Sequence, residues 1–133
     1  MHGNLVIISL LLARFATSSP TSVNTRGFTP GRCNLHVTQW YKNKNEVGNA
    51  YQFDVCITDT NGTTVGRVIR LPIEDFQSSA ITSELPYTVI IGTGVVDTDP
   101  VQFAYAGYGF STSRGCSSVP GAENRTIECG FNC

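Results

Sequence analysis

Five cysteines, at positions 33, 56, 116, 129 and 133, constrain this 133-residue chain more than any other feature. An odd number cannot pair completely within one molecule, so at most four close disulfides and one is left over. Three of the five fall in the last eighteen residues, Cys116 to Cys133, together with turn-forming Pro120-Gly121 and the sequon Asn124-Arg125-Thr126. A chain of this length makes one domain with a thin core, for which covalent staples matter.

The strands are read from alternation. In Cys33-Asn-Leu-His-Val-Thr-Gln-Trp-Tyr41, Cys33, Leu35, Val37 and Tyr41 share one parity, and Asn34, His36, Thr38 and Trp40 share the other. That pattern describes a half-buried strand. Tyr51 to Thr58 repeats it, with Tyr51, Phe53, Val55 and Ile57 inward. Asp59-Thr60-Asn61-Gly62 then supplies a turn, and a return strand runs from Thr63 to Leu71. Pro72 to Ala80 reads as a short helix or a connecting loop. Tyr87 to Ile91 is β-branched and continuous, as in a central strand buried on both faces. Val101 to Phe110 alternates as one strand, with Gly107 and Gly109 marking a bulge or close approach. Cys116 to Cys133 forms a last hairpin. Six or seven strands with short turns and little helix predict an all-β sandwich or small barrel.

Parity also sorts the cysteines. Ile127, Cys129, Phe131 and Cys133 share the inward face of the closing strand, and Cys33 is inward on the first. Cys56 shares a face with Gln52, Asp54 and Thr58, which makes it the odd thiol, free or intermolecular in a dimer. We expect Cys116–Cys129 and Cys33–Cys133; the pairing Cys33–Cys129 with Cys116–Cys133 satisfies the same parity.

Residues 1–18 read as a secretory signal peptide, with an apolar run from Leu5 to Leu12 and small residues Ala16-Thr17-Ser18 for cleavage. The run is too short to span a bilayer. Residues 19–32 read as a flexible leader rich in Ser, Thr, Pro and Gly, in which Arg26 and Arg32 are sites where processing is conceivable. The secreted β-domain is assigned to 33–133. Losing Arg14 from nine basic residues leaves eight against ten acidic ones, so the mature protein is mildly acidic. No basic stripe suggests a nucleic-acid partner, and an acidic surface does not suit membrane disruption.

The frame Cys33-x-Leu-His-Val-Thr-Gln, Tyr51-x-Phe-Asp with Asp59-x-Asn-Gly, Asp99-Pro-Val-Gln-Phe-Ala-Tyr105, and Arg125-x-x-x-Cys129-Gly-Phe-x-Cys133 resembles small secreted cysteine-containing proteins of filamentous fungi, many of them candidate effectors. The resemblance covers Cys33 to the C-terminus, and Cys56 departs from its four-cysteine pattern. It implies secretion, a disulfide-stapled β fold and a role outside the cell. It brings no catalytic residues.

The residues themselves give no catalytic constellation. His36 is the one histidine left after the signal peptide and reads as an exposed strand residue, although a cross-strand pair with Asp54 is conceivable. Cys56 has no basic neighbour in sequence to activate it as a nucleophile. Asp97 with Asp99, and Asp59 with Asn61, are too few ligands for calcium and read as Asx turn residues; no metal or cofactor is expected. The sequons Asn61-Gly62-Thr63 and Asn124-Arg125-Thr126 are expected in hairpin turns, where a glycan projects into water. Trp40 and His36 mark a candidate binding surface. The functional expectation is a non-enzymatic, effector-like protein that binds a host or competitor protein or glycan. The alternatives are an antimicrobial or toxin-like protein, and a carbohydrate-binding module using Trp40 and nearby tyrosines.

Overall fold

A computed structural model describes residues 27–44 and 47–133. The expected signal peptide and the leader as far as residue 26 lie outside the described residues. Nine strands form: β1 (Arg32–Trp40), β2 (Tyr51–Thr58), β3 (Thr64–Ile73), β4 (Ser78–Ile81), β5 (Val89–Gly92), β6 (Gln102–Tyr105), β7 (Tyr108–Ser111), β8 (Cys116–Pro120) and β9 (Asn124–Asn132). They make a five-stranded sheet in the order β3-β2-β1-β9-β8 and a four-stranded sheet in the order β4-β5-β6-β7, with every neighbouring pair antiparallel. The architecture is a small disulfide-stapled β-sandwich, with no helix among the described residues.

Two segments raise the strand count above the six or seven expected. Val101 to Phe110 is a hairpin: Tyr105 pairs with Tyr108 across Ala106 and Gly107, whose φ angles of 52° and 87° are those of a tight turn. Gly107 therefore marks a reversal and not a bulge. Pro72 to Ala80 holds no helix. β3 runs on through Ile73, Gln77 N–H bonds Glu74 C=O at 3.0 Å, and β4 begins at Ser78. β5 starts at Val89, and Tyr87 is 60% exposed, so the run expected to be central is shorter and buries only one face completely.

The inward parity of the first sheet supplies Leu35, Val37, Phe53, Ile57, Ile127 and Phe131 to the core, each at most 2% exposed. Val89, Ile91, Phe103 and Tyr105 answer from the second sheet. Aromatic rings join the two: Phe110 stacks on Phe131 at 5.7 Å and on Phe103 at 5.6 Å, and Tyr105 meets Phe131 edge-on at 5.0 Å. Fully burying each such side chain contributes about 1.5–3 kcal/mol.

The disulfides are Cys33–Cys133 and Cys116–Cys129, which decides between the connectivities that parity left open. Cys116 and Cys129 are register partners across β8 and β9. Cys33–Cys133 spans 100 positions and ties the two ends of the fold; cross-linking so long a loop stabilises by about 4–5 kcal/mol on the chain-entropy model.

The packed fold starts before Cys33. Asp59, 3% exposed, caps the Asp59–Gly62 turn by accepting bonds from Asn61 and Thr63 N–H, and its other oxygen accepts Thr29 N–H at 2.9 Å. Phe28 is buried against the core. Residues 27–32, expected to be part of a flexible leader, are thus held on the domain.

Candidate functional site

The outward parity of the five-stranded sheet gathers the polar and titratable residues. The pairing register arranges them in cross-strand rows. One row runs Arg67 (β3), Cys56 (β2), His36 (β1), Glu128 (β9) and Ser117 (β8). The next runs through Asp54, Thr38, Thr126 and Val119, and a third through Gln52, Trp40 and Asn124.

Hydrogen-bond alternation decides which neighbours within a row touch. Gly31 and Cys133 exchange both backbone bonds. Stepping along β1 and β9, the odd positions of β1 are therefore hydrogen-bonded pairs, and His36–Glu128 and Trp40–Asn124 are the closer, non-hydrogen-bonded kind. His36 accordingly reaches Glu128, with Nδ1 2.6 Å from Oε1, while its Nε2 lies 3.1 Å from Thr58 Oγ1. Even residues of β1 turn their backbone groups to β2, so His36–Cys56 is the wider pair. Both imidazole nitrogens are engaged away from the sulfur.

The conceivable His36–Asp54 pair does not form, because Asp54 stands opposite Thr38, two residues further along. Asp54 instead organises the Trp40 end. Its Oδ2 accepts Trp40 Nε1–H at 3.1 Å and its Oδ1 accepts Arg70 N–H at 2.7 Å. The second bond closes a β-bulge, where the β2–β3 register shifts between Phe53 and Val55 and Ile69 and Arg70 together oppose Asp54. Arg70 adopts φ 55°, a left-handed conformation that costs a non-glycine residue about 1–2 kcal/mol. The bulge aims its guanidinium over the Trp40 indole, 4.0 Å from the ring centre, and Nη1 donates to Gln52 Oε1 at 3.1 Å. Ile69 is pushed outward and is 61% exposed.

Cys56 is the free cysteine, half-buried as its parity required. The basic neighbour missing from its local sequence is supplied by register: Arg67 Nη2 lies 3.9 Å from the sulfur, and Thr64 Oγ1 3.8 Å. A shallow groove of about 280 Å³ runs over this region between His36, Cys56, Arg67, Ile69 and Glu128.

Trp40 is not part of a tyrosine platform. Tyr41 and Tyr105 are buried in the core, and Tyr108, on the other sheet, donates its hydroxyl to Asn132 C=O at 2.6 Å. The sequons also separate. Asn61 is exposed in its turn, with Nδ2 donating to Thr29 Oγ1 at 3.0 Å. Asn124 is not in the turn but opens β9, beside Trp40 on the outer face.

A second polar cluster closes one end of the sandwich. Asp99 accepts Val95 and Val96 N–H, and these bonds, with Arg125 and Lys42 nearby, hold its carboxyl below the usual aspartate range. Thr29, Thr63 and Asn61 amides do the same for Asp59. Burial, then the bond to Asp97 at 2.7 Å, pushes the Tyr51 phenol well above its ordinary value. Inside, Arg125 Nε donates to Gln39 Oε1 at 2.9 Å and Nη2 to Asp99 C=O at 2.8 Å. These carboxylates brace loops, as Asx residues do. A concavity of about 450 Å³ beside Asp99 is lined by Phe76, Ser78, Thr93 and Gln102. Its one carboxylate is already committed to backbone amides.

Among the described residues, no group of three His, Cys, Asp or Glu is placed to hold a metal ion, and no helix is long and apolar enough to cross a membrane. Searches of family models, curated proteins and solved structures find no match to the chain.

Proposed function

We propose that this protein is a secreted, effector-like β-domain that acts without catalysis, by binding a host or competitor protein through the outer face of its five-stranded sheet. The observation that carries the reading is the strained Arg70 bulge. It fixes Arg70 on Trp40 and thrusts Ile69 into solvent beside Arg67 and His36. Tryptophan and arginine dominate binding hot spots, and side chains already held in place lose little entropy on docking. Backbone strain of this kind persists where the surroundings over-determine it, commonly at functional sites.

Two disulfides in a small domain support an oxidising, extracellular setting, as does the apolar run from Leu5 to Leu12. The sugar-binding reading loses ground because Trp40 has lost its companion tyrosines and carries a guanidinium on one ring face. The test applies fluorescently labelled protein to plant and fungal cells and to a printed glycan array, beside Ile69→Asp and Arg67→Glu. Saturable cell binding lost in both variants, with a blank array, is the expected result. Equal binding by the variants refutes the assigned face, and a strong array signal refutes the protein target.

A further inference from the structure

We propose that Asn124 is an N-glycan acceptor whose glycan stands against Trp40 and gates the Trp40 end of the outer face. Three observations converge. First, the sequon Asn124-Arg125-Thr126 lies on β9 itself, where alternation puts its two working residues on the outer face and Arg125 between them in the core. Asn124 is half-buried and Thr126 exposed, so the acceptor carboxamide and the hydroxyl of the sequon are on the same side of the sheet. Second, the carboxamide is oriented by the preceding turn. A Cβ at Gly121 would stand 3.8 Å from Asn124 Oδ1, so Oδ1 faces the turn and Nδ2, the atom that takes the sugar, lies on its far side. Third, Trp40 is the register partner of Asn124 in one of the closer, non-hydrogen-bonded pairs, whose Cβ atoms are about 4.5–5.5 Å apart. The first sugar on Nδ2 therefore begins beside the indole.

Arg70, 4.0 Å over the ring, and Asp54, which accepts Trp40 Nε1–H at 3.1 Å, hold the indole from the β2–β3 side. A glycan arriving from β9 covers it from the opposite side. Ile69 and Arg67, on β3, stay accessible. The bare protein thus presents the whole face, and the glycoform presents only its β3 half. This regulation rests on the outer face being the binding surface; the shielding of Trp40 does not. Asn61 makes no such contact. It lies in the turn beyond Thr58, which is about 20 Å along β2 from Gln52, the partner of Trp40.

The transfer balances with a lipid diphosphate-linked oligosaccharide as co-reactant. Asn124 Nδ2 bonds C1 of the first sugar, the C1–O bond to the lipid diphosphate breaks, and the amide gives up one proton to solvent.

The test secretes the full chain from a eukaryotic host behind the host's own leader, so the result does not depend on residues 1–18. Intact mass counts glycans, acrylamide quenching reads access to Trp40, the single tryptophan, and labelled protein reads cell binding. Thr126→Ala keeps Asn124 but breaks the sequon. It should lose the mass of one glycan, expose Trp40 to faster quenching and bind cells about tenfold tighter, the scale of one regained hot-spot contact. Thr126→Ser keeps the sequon and should match wild type in all three. Asn61→Gln should leave quenching and binding unchanged. A glycan count equal in wild type and Thr126→Ala overturns the proposal, and so does quenching that is the same with and without the Asn124 glycan or that shifts equally in Asn61→Gln. Cell binding unaltered by Thr126→Ala overturns the gate. Absence of any cell binding refutes the outer-face reading instead, since mass and quenching report the shielding without a partner.

Discussion

Arg125→Met replaces a guanidinium that is 7% exposed by an apolar chain of similar reach, so little cavity is left behind. What is lost is polar. Arg125 Nε no longer donates to Gln39 Oε1, and Nη2 no longer donates to Asp99 C=O. Gln39 is 0% exposed, and its Nε2 makes no hydrogen bond among the described residues, so its whole carboxamide becomes unpaired. Stranding a buried polar group costs about 1–3 kcal/mol, and a bond from a charged donor is worth about 1.5–3. These terms overlap, which places the variant about 2–4 kcal/mol below wild type. Gln39→Leu alone leaves the Arg125 Nε donor stranded and falls in the same range. The double variant removes both partners together and should cost only about 0–2 kcal/mol, because apolar replacement of a buried pair is often close to neutral. The coupling is thus about 2 kcal/mol or more. Equilibrium guanidinium denaturation reads it directly, with Trp40, the single tryptophan of the chain, as the fluorescent probe. Single-variant costs that simply add in the double variant, within about 0.5 kcal/mol, refute the reasoning.

Arg70→Ala loses the contact with Trp40 and the bond to Gln52 but keeps the left-handed backbone, whereas Arg70→Gly relieves it. Glycine should therefore be the more stable of the two variants by about 1 kcal/mol, the reverse of the usual strand order; alanine equal or better by denaturation contradicts the strain. Asp59 and Asp99 both have lowered pKa values from backbone amides, chiefly Thr29 for Asp59 and Val95 for Asp99. Their stabilisation is present above the unfolded pKa of about 3.9 and is lost as pH falls through the folded values. A Tm–pH profile should drop steeply below about pH 4, and Asp59→Asn should flatten the drop. Alkylation of the native, unreduced protein should label one site, Cys56, and peptide mapping that finds a modified Cys33, Cys116, Cys129 or Cys133 argues against the disulfide pairs.

Much of the fold was legible because parity is local. Alternation in Cys33 to Tyr41 and in Tyr51 to Thr58 named the inward residues, and the same rule placed Cys33, Cys129 and Cys133 inside and Cys56 outside. It also put Trp40 and His36 on the outer face. The omitted position was Gln39, which has inward parity but a polar side chain, and only the facing Arg125 from β9 explains its burial. The β6–β7 hairpin was missed because its turn is Ala106-Gly107 and not a more usual Asn-Gly or Asp-Gly, so alternation ran through it unbroken. Asn124 looked like a turn residue from the neighbouring Pro120-Gly121; the turn itself ends one residue earlier, with Gly121 N–H bonded to Asn124 C=O.

The candidate site depended on register, which parity does not determine. Sliding β2 by two residues against β1 leaves every inward residue inward. That slide would bring Asp54 opposite His36, the pair that looked conceivable from the sequence, and would carry Cys56 away. The actual register puts Cys56 opposite His36 and Arg67 beside the sulfur. The β1–β2 connection contributes, since Asn43 N–H bonds Gly48 C=O at 3.0 Å and Val47 N–H bonds Lys44 C=O at 2.8 Å. Two further anchors act at the opposite ends of the strands. Cys33–Cys133 holds the start of β1 against the end of β9, and Asp59 ties the end of β2 to Thr29, just ahead of β1. A reduced protein, or Asp59→Ala, loosens those two anchors while leaving the hydrophobic pattern intact. The outer-face rows should then loosen before the core does, because their register depends on both anchors.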